Sequence, residues 1–437
     1  MKRVGNIFEK VYDMSNLVLA LDKACQGKRD KGFVRRIYDN KEYYLAELQN
    51  MLKNETYELH PNTYKTIVER SSQKQRELTI PKFYPDQILH WAACLQLQPI
   101  VMKGMYHYNC GSIPGRGCLY AKRYIDRILA TDKEVKYVMK LDIKKFFPNV
   151  RNDKLKELLA RKIKDTKYLR LLYAIIDNGG EGLPIGYYTS QWFSNFYLEA
   201  LDHYIKEELK IRHHIRYVDD ILLLDTDKEK LHNAYPLIVK FLADNNYGIT
   251  IKDNWQLWRL HSRPIDFLGY KFYEHKTLLR NRIFHLLTRK VRRIEIRGYC
   301  TQNTARAIAS LLGWLKHLPC GNNYYTKYIC VVIDKPTISK IISHCDKRRS
   351  KMIIRENTDP KVEAHKRKIN LTGDVYMIGN FMESLESHKV LIPDSTVETI
   401  EEAEQERIAY EAEQERLRAE AAALAAENEL PFDDIEG

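Results

Sequence analysis

Two kinds of periodicity run along this chain. Short runs in which nearly every position is apolar or β-branched predict buried strands at residues 135–141, 214–218 and 221–224, and the polar pair between the last two predicts a hairpin turn. The segments TYKTIV (63–68) and RELTIP (76–81) flank the polar stretch 71–75 and predict a second hairpin. Elsewhere apolar residues recur at helical spacing, over 86–101, 154–176, 191–208 and 228–245. Residues 1–60 read as helices rich in Lys, Tyr and Leu that stop at His60-Pro61. Helical patterning continues through 285–297 and 305–318, now rich in Arg and Lys, and weakens after Pro360. The interleaving predicts an α+β fold.

Three carboxylates interrupt the apolar runs. Asp142 stands at the exit of the 135–141 strand, in VMKLDIKKFFPNV, and Asp219 and Asp220 occupy the turn of IRYVDDILLL, 77 residues beyond it. An Asp pair between apolar runs is most often a solvated turn, because Asp bonds its own backbone there. If the strand end meets the hairpin tip, however, the three acids share one small, partly desolvated volume. Ionised carboxylates are costly there unless a cation offsets them, and hard divalent ions with a preference for oxygen suit that role.

Charge adds a class of partner. The 437 residues carry a net charge of +13, yet Glu398–Gly437 holds 14 acidic and 3 basic side chains, so the first 397 residues carry +24. A body this basic, with 29 tyrosines for stacking, suits a nucleic acid. No amphipathic face or long apolar span suggests a membrane, and the eight cysteines form no CxxC pair, so zinc-ribbon and redox motifs are excluded. MKRVGNIFEK lacks the apolar core of a signal peptide, and a cytoplasmic setting is expected. The Ala-, Glu-, Gln- and Arg-rich segment 397–429 favours an exposed acidic helix; its nine-residue near-repeat does not fit a heptad.

In order, LDIKKFF, the segment GLPIGYYTSQWFSNFYLEALD (182–202), YVDD and IDFLGYKF (265–272) resemble the motifs of reverse transcriptases. The resemblance covers roughly residues 70–275 and implies a right-hand polymerase fold, with fingers at 61–134, an antiparallel-sheet palm at 135–278 and a helical thumb at 279–345. A helical extension at 1–60 precedes them, and a further extension at 346–396 and the acidic helical or disordered tail at 397–437 follow. It implies RNA-templated extension of a DNA 3′ end with two Mg²⁺ ions, Mn²⁺ being an alternative. Asp142 and Asp219 are then metal ligands, Asp220 supports them, and the Ile143 carbonyl is a further oxygen. Arg76 and Lys74 face the triphosphate, Phe147 excludes a ribose 2′-hydroxyl, and Lys252 stands near the pyrophosphate. Arg116, Lys122, Arg123 and Gly269 meet template or primer, as do Arg289, Lys290, Arg292 and Arg293 of the basic helix.

Where many relatives read PQG, three residues, then SP, this chain reads Pro184-Ile185-Gly186, three residues, then Ser190-Gln191. This variant resembles the enzymes of diversity-generating retroelements. Ile185 replaces an amide near the nucleotide, and Gln191 replaces a proline that would stiffen the loop, changes that loosen discrimination. The implied partners are template RNA, primer or cDNA, deoxynucleotides and a small basic helical accessory protein. A phage-defence polymerase and a non-catalytic RNA-binding maturase are the competing readings; three retained acids argue against the maturase.

Overall fold

The segments expected to pair as strands do so in the computed structural model, which describes residues 3–68, 75–344 and 375–377. β1 (Thr63–Val68) and β2 (Gln75–Ile80) form an antiparallel hairpin. β3 (Tyr137–Asp142), β4 (His213–Tyr217), β5 (Asp220–Asp225) and β6 (Gln256–Arg259) form an antiparallel sheet in the order β4-β5-β3-β6. β7 (Ile265–Phe267), β8 (Tyr270–Phe272) and β9 (Thr277–Leu279) form a smaller three-stranded sheet. The expected α+β class is therefore observed, with β6 added where the apolar pattern gave no signal.

Ile221 to Leu224 of β5 are all buried, which explains their unbroken apolar run: both faces of this inner strand are covered. The helix Lys228–Asp244 packs against β3 and β5 and buries Leu231, Ala234, Ile238 and Leu242. The helix Ile88–Met102 is buried over most of its circumference, with Trp91, Leu95, Gln98 and Met102 half-buried along one side and Pro99 exposed, and it contributes much of the core. It packs against the helices Met14–Cys25 and Tyr188–Tyr197. Asn16 reaches into this contact and donates to the Val11 and Ala92 carbonyls at 2.8 and 3.1 Å.

Two long helices expected from periodicity are divided. Residues 154–176 form Asn152–Lys162 and Thr166–Asn178, because Asp165 turns its carboxylate onto the Tyr168 N–H at 3.1 Å and starts a new helix. The same carboxylate accepts from the Ile7 and Phe8 N–H groups at 2.6 and 2.9 Å, tying the start of the chain to this break. Residues 191–208 form Tyr188–Tyr197 and Glu199–His203, followed by a wider turn over Tyr204–Glu208.

Among the described residues, those up to Ile283 with His317–Pro319 form one compact unit, and Phe284–Lys316 with those from Cys320 onward form another. In the second, the helix Gln302–Leu315 buries Ala305, Ile308 and Leu312 and packs against Lys335–His344. β10 (Tyr299–Thr301) pairs with β11 (Val375–Met377). Apart from β11, the expected 346–396 extension and 397–437 tail lie outside the described residues.

Asp165→Ala should lower stability by about 2–3 kcal/mol, measured by denaturant unfolding at pH 7. Burial alone would raise the Asp165 pKa, but the N–H donors of Phe8, Ile7 and Tyr168 outweigh it and hold the carboxyl below its ordinary value. The contribution is therefore present above the unfolded carboxyl value of about 4 and disappears as the pH falls through the lower folded value.

Candidate active site

β3 and the β4–β5 hairpin bring the distant acids together. In the sheet register Asp142 lies directly opposite Asp220, and Tyr217 pairs with Asp220 across the hairpin, leaving Val218 and Asp219 as the turn. Directly opposed residues of antiparallel strands share a face, so the carboxyls of Asp142 and Asp220 are neighbours by construction. The Ile143 N–H donates to the Asp219 carbonyl at 3.2 Å, which joins the tip to the end of β3. On the other side, the Lys144 N–H donates to Thr250 and the Lys252 N–H donates to the Asp142 carbonyl, each at 2.8 Å.

The electrostatics of this cluster are unfavourable for bare carboxylates. Burial, followed by the charges of Asp220 and Asp142, pushes Asp219 up to about 6. Asp220 is also raised, by burial first; Lys140 opposes the shift and Asp142 adds to it. Lys252 Nζ lies 2.6 Å from Asp142 Oδ2. Asp142 Oδ1 is buried and has no hydrogen-bond partner. A partly desolvated acidic cluster with an unused carboxylate oxygen fits a hard divalent cation. Among the described residues, no three Asp, Glu, His or Cys side chains converge closely enough to form a ligand set by themselves. The expectation of three acids closing around a pair of ions is thereby reduced to a pair of neighbouring acids plus Asp219 at the turn, with other oxygens needed to complete any shell.

The residues assigned to the nucleotide fall in three places. Phe146 is buried and Phe147 half-buried on the single turn Phe146–Asn149; the Leu183 N–H donates to the Phe147 carbonyl at 2.7 Å. Arg76 is exposed on β2, while Lys74 lies outside the described residues. Gly186 has φ 128°, and a Cβ there would fall 2.3 Å from the Thr79 carbonyl. Only glycine allows that approach, and the Thr79 N–H donates to the Ile185 carbonyl at 2.8 Å beside it. The β1–β2 hairpin is thus fastened to the start of the Tyr188–Tyr197 helix. Exposed Gln191 borders an open cleft of about 780 Å³, which Lys23, Lys28 and Lys31 line and no acidic residue does. The sequence reading left these N-terminal lysines without a role. Lys252, expected near the pyrophosphate, pairs with Asp142 in this structure.

The template and primer residues divide similarly. Lys122 is a correction: it is buried, ion-paired with Asp126 at 2.6 Å and set 5.4 Å from the centre of the Tyr270 ring, so its charge is neutralised internally. Half-buried Arg116 donates to the Tyr106 carbonyl at 3.0 Å, whereas Arg123 is exposed. Gly269 has φ 84° and follows Leu268 at φ 47° in the tight turn between β7 and β8, so a turn requirement accounts for it. In the second unit, Arg289, Arg292 and Arg293 are exposed and Lys290 is half-buried, while Leu287, Val291 and Ile294 bury the opposite side of the helix Asn281–Arg297. A buried pair, Asp202 and Arg216, stands directly behind the turn and was missed; its only signal was charge inside apolar segments.

Residues 69–272 match the family model described as reverse transcriptase (RNA-dependent DNA polymerase). The group II intron-encoded protein LtrA of Lactococcus lactis subsp. cremoris is 28% identical over 191 residues, covering 41% of this chain and 31% of that protein. Protein YkfC of Escherichia coli K12 is 26% identical over 155 residues, covering 33% and 40% respectively. The chain thus spans about a third of the length of these curated relatives. Apo telomerase from Candida tropicalis superposes with a TM-score of 0.41 and 12% identity, over 65% of this chain and 64% of that one. No helix among the described residues is long and apolar enough to cross a membrane.

Because the folded Asp219 pKa lies above the unfolded value of about 4, its ionised form opposes folding when no divalent ion is present. Asp219→Asn should therefore raise the melting temperature at pH 7 in chelator, and its advantage over the parent should close as the pH falls through about 6 towards 4. Equal melting of the two proteins at pH 7 would contradict this electrostatic account.

Proposed function

We propose that this protein, which carries a reverse transcriptase domain over residues 69–272, is an RNA-directed DNA polymerase that makes cDNA from a retroelement RNA. The observation that carries the proposal is the register that sets Asp142 against Asp220, beside Asp219, with a buried Asp142 oxygen left without a partner. Asp142 and Asp219 would hold the metal, Asp220 would support them, and the Ile143 carbonyl would be a further oxygen. Bound Mg²⁺, or Mn²⁺ in its place, would supply a more acidic primer hydroxyl and neutralise charge on the triphosphate and departing pyrophosphate.

The chain's own groups do the positioning. Lys252 balances Asp142 and can exchange that contact for a substrate oxygen in the same volume. Arg76, on the hairpin fastened at Thr79, offers a planar fork to phosphate oxygens. Phe147 borders the sugar. The exposed arginines of the basic helix contact phosphates and set register without reading bases.

The finer reading is a diversity-generating enzyme that works with its own retroelement RNA, deoxynucleotides and a small basic accessory protein. Ile185 and Gln191 support it, since neither supplies the amide or the stiffness of the commoner pattern at its position.

Asp142→Asn and Asp219→Asn should each lower primer extension at least about 100-fold while leaving RNA binding within about twofold, measured by single-nucleotide incorporation and filter binding. Undiminished extension by either folded variant would refute the site. Sequencing cDNA made on a defined RNA tests the finer reading: errors concentrated opposite adenine are expected. Faithful copies would remove the diversifying role, and untemplated product would favour the phage-defence enzyme.

A further inference from the structure

The turn that carries Asp219 is built around an unfavourable backbone. Val218 has φ 57°, a left-handed conformation that a β-branched residue rarely adopts and that persists only where its surroundings hold it. Two contacts do so. A Cβ at Gly111 would lie 2.7 Å from the Val218 nitrogen, so the Gly111 backbone closes over the turn. On the inner side, Arg216 Nη1 donates to the Val218 carbonyl at 3.0 Å.

That guanidinium is itself fixed. Arg216 and Asp202 are both fully buried, and Arg216 donates from Nε to Asp202 Oδ1 at 2.8 Å and from Nη2 to Asp202 Oδ2 at 2.6 Å. Nη2 also donates to the Asn195 carbonyl at 3.2 Å. The Asn195 side chain in turn donates to the Gly111 carbonyl at 2.6 Å, so both contacts on the turn return to one buried cluster. His214, 3.4 Å from Asp202, is held down to about 4 by burial and is neutral at ordinary pH, leaving one carboxylate against one guanidinium.

We infer that Asp202 and Arg216 are positioning residues for the polymerase reaction: their buried fork clamps the Val218 carbonyl and thereby sets where the Asp219 carboxylate stands. The inference rests on the proposed polymerase function. Stability alone does not account for the pair, since a buried ion pair is commonly matched or bettered by apolar side chains of similar volume. An apolar pair cannot donate to Val218.

This difference supplies the test. The double variant Asp202→Leu/Arg216→Met removes both charges together and so leaves neither one buried alone. Its melting temperature should stay close to the parent's. Hydrogen exchange in the peptide covering 217–223 should accelerate at least about tenfold, with β3 unchanged. The rate at saturating deoxynucleotide should fall at least about tenfold with KM within about twofold, because misplacement by about an ångström costs chemistry more than binding. Should the double variant fail to fold, Arg216→Lys, which keeps the charge and loses the fork, is read by the same measures. Parent-like exchange at the turn, or a parent-like rate, in a folded variant overturns the clamp. If the parent itself extends no primer, the polymerase reading falls, and the exchange comparison still decides whether the pair holds the turn.

Discussion

Like charges held together in a partly dry place set the terms for this structure. Asp142, Asp219 and Asp220 repel one another, and burial makes ionisation of the hairpin acids dearer still. Left to themselves they would separate or take up protons. The backbone prevents separation, because a strand pairing in fixed register cannot move one carboxyl without breaking the ladder around it. Rigidity of the sheet keeps that electrostatic penalty in place, and a bound cation would relieve it.

That rigidity comes from packing that is conventional at a distance and unusual close to the site. β5 is buried from Ile221 to Asp225, and the helix Ile88–Met102 is buried over most of its surface, so the scaffold behind the acids has little freedom. At the turn the means change. A left-handed valine, a glycine pressed against it and a buried guanidinium replace the hydrophobic contacts that serve elsewhere. Polar parts are costly in a core, and they occur here because a carbonyl is held by a directed donor, not by an apolar surface.

The β1–β2 hairpin is joined to the scaffold through backbone as well. Gly186 lets β2 approach the start of the Tyr188–Tyr197 helix, and the Thr79 to Ile185 bond fastens it. A change of side chain at 185 can therefore alter the surface beside this junction while leaving the junction intact. The cleft nearby collects lysines without acids, in keeping with the basic charge of the chain before its acidic tail.

Much of this could be read from the chain. Largely apolar and β-prone runs gave β3 and the β4–β5 hairpin to within a residue or two, and the carboxylates at their ends marked the candidate site, because burial makes that combination expensive without a cation. Periodicity failed where a single polar contact overrides it: Asp165 divides what its pattern draws as one helix. Arginine and lysine were the least legible. Lys122, placed by resemblance on a nucleic acid, is neutralised inside by Asp126, and Lys252 meets Asp142 from 110 residues away. Arg216, two residues before the turn, faces inward to Asp202. The sequence by itself determined that β3 and the β4–β5 hairpin form and which acids they carry, because those depend on local burial patterns. Only the tertiary structure decided which charges are neutralised and which remain for a substrate, because ion pairing depends on distances that no spacing along the chain records.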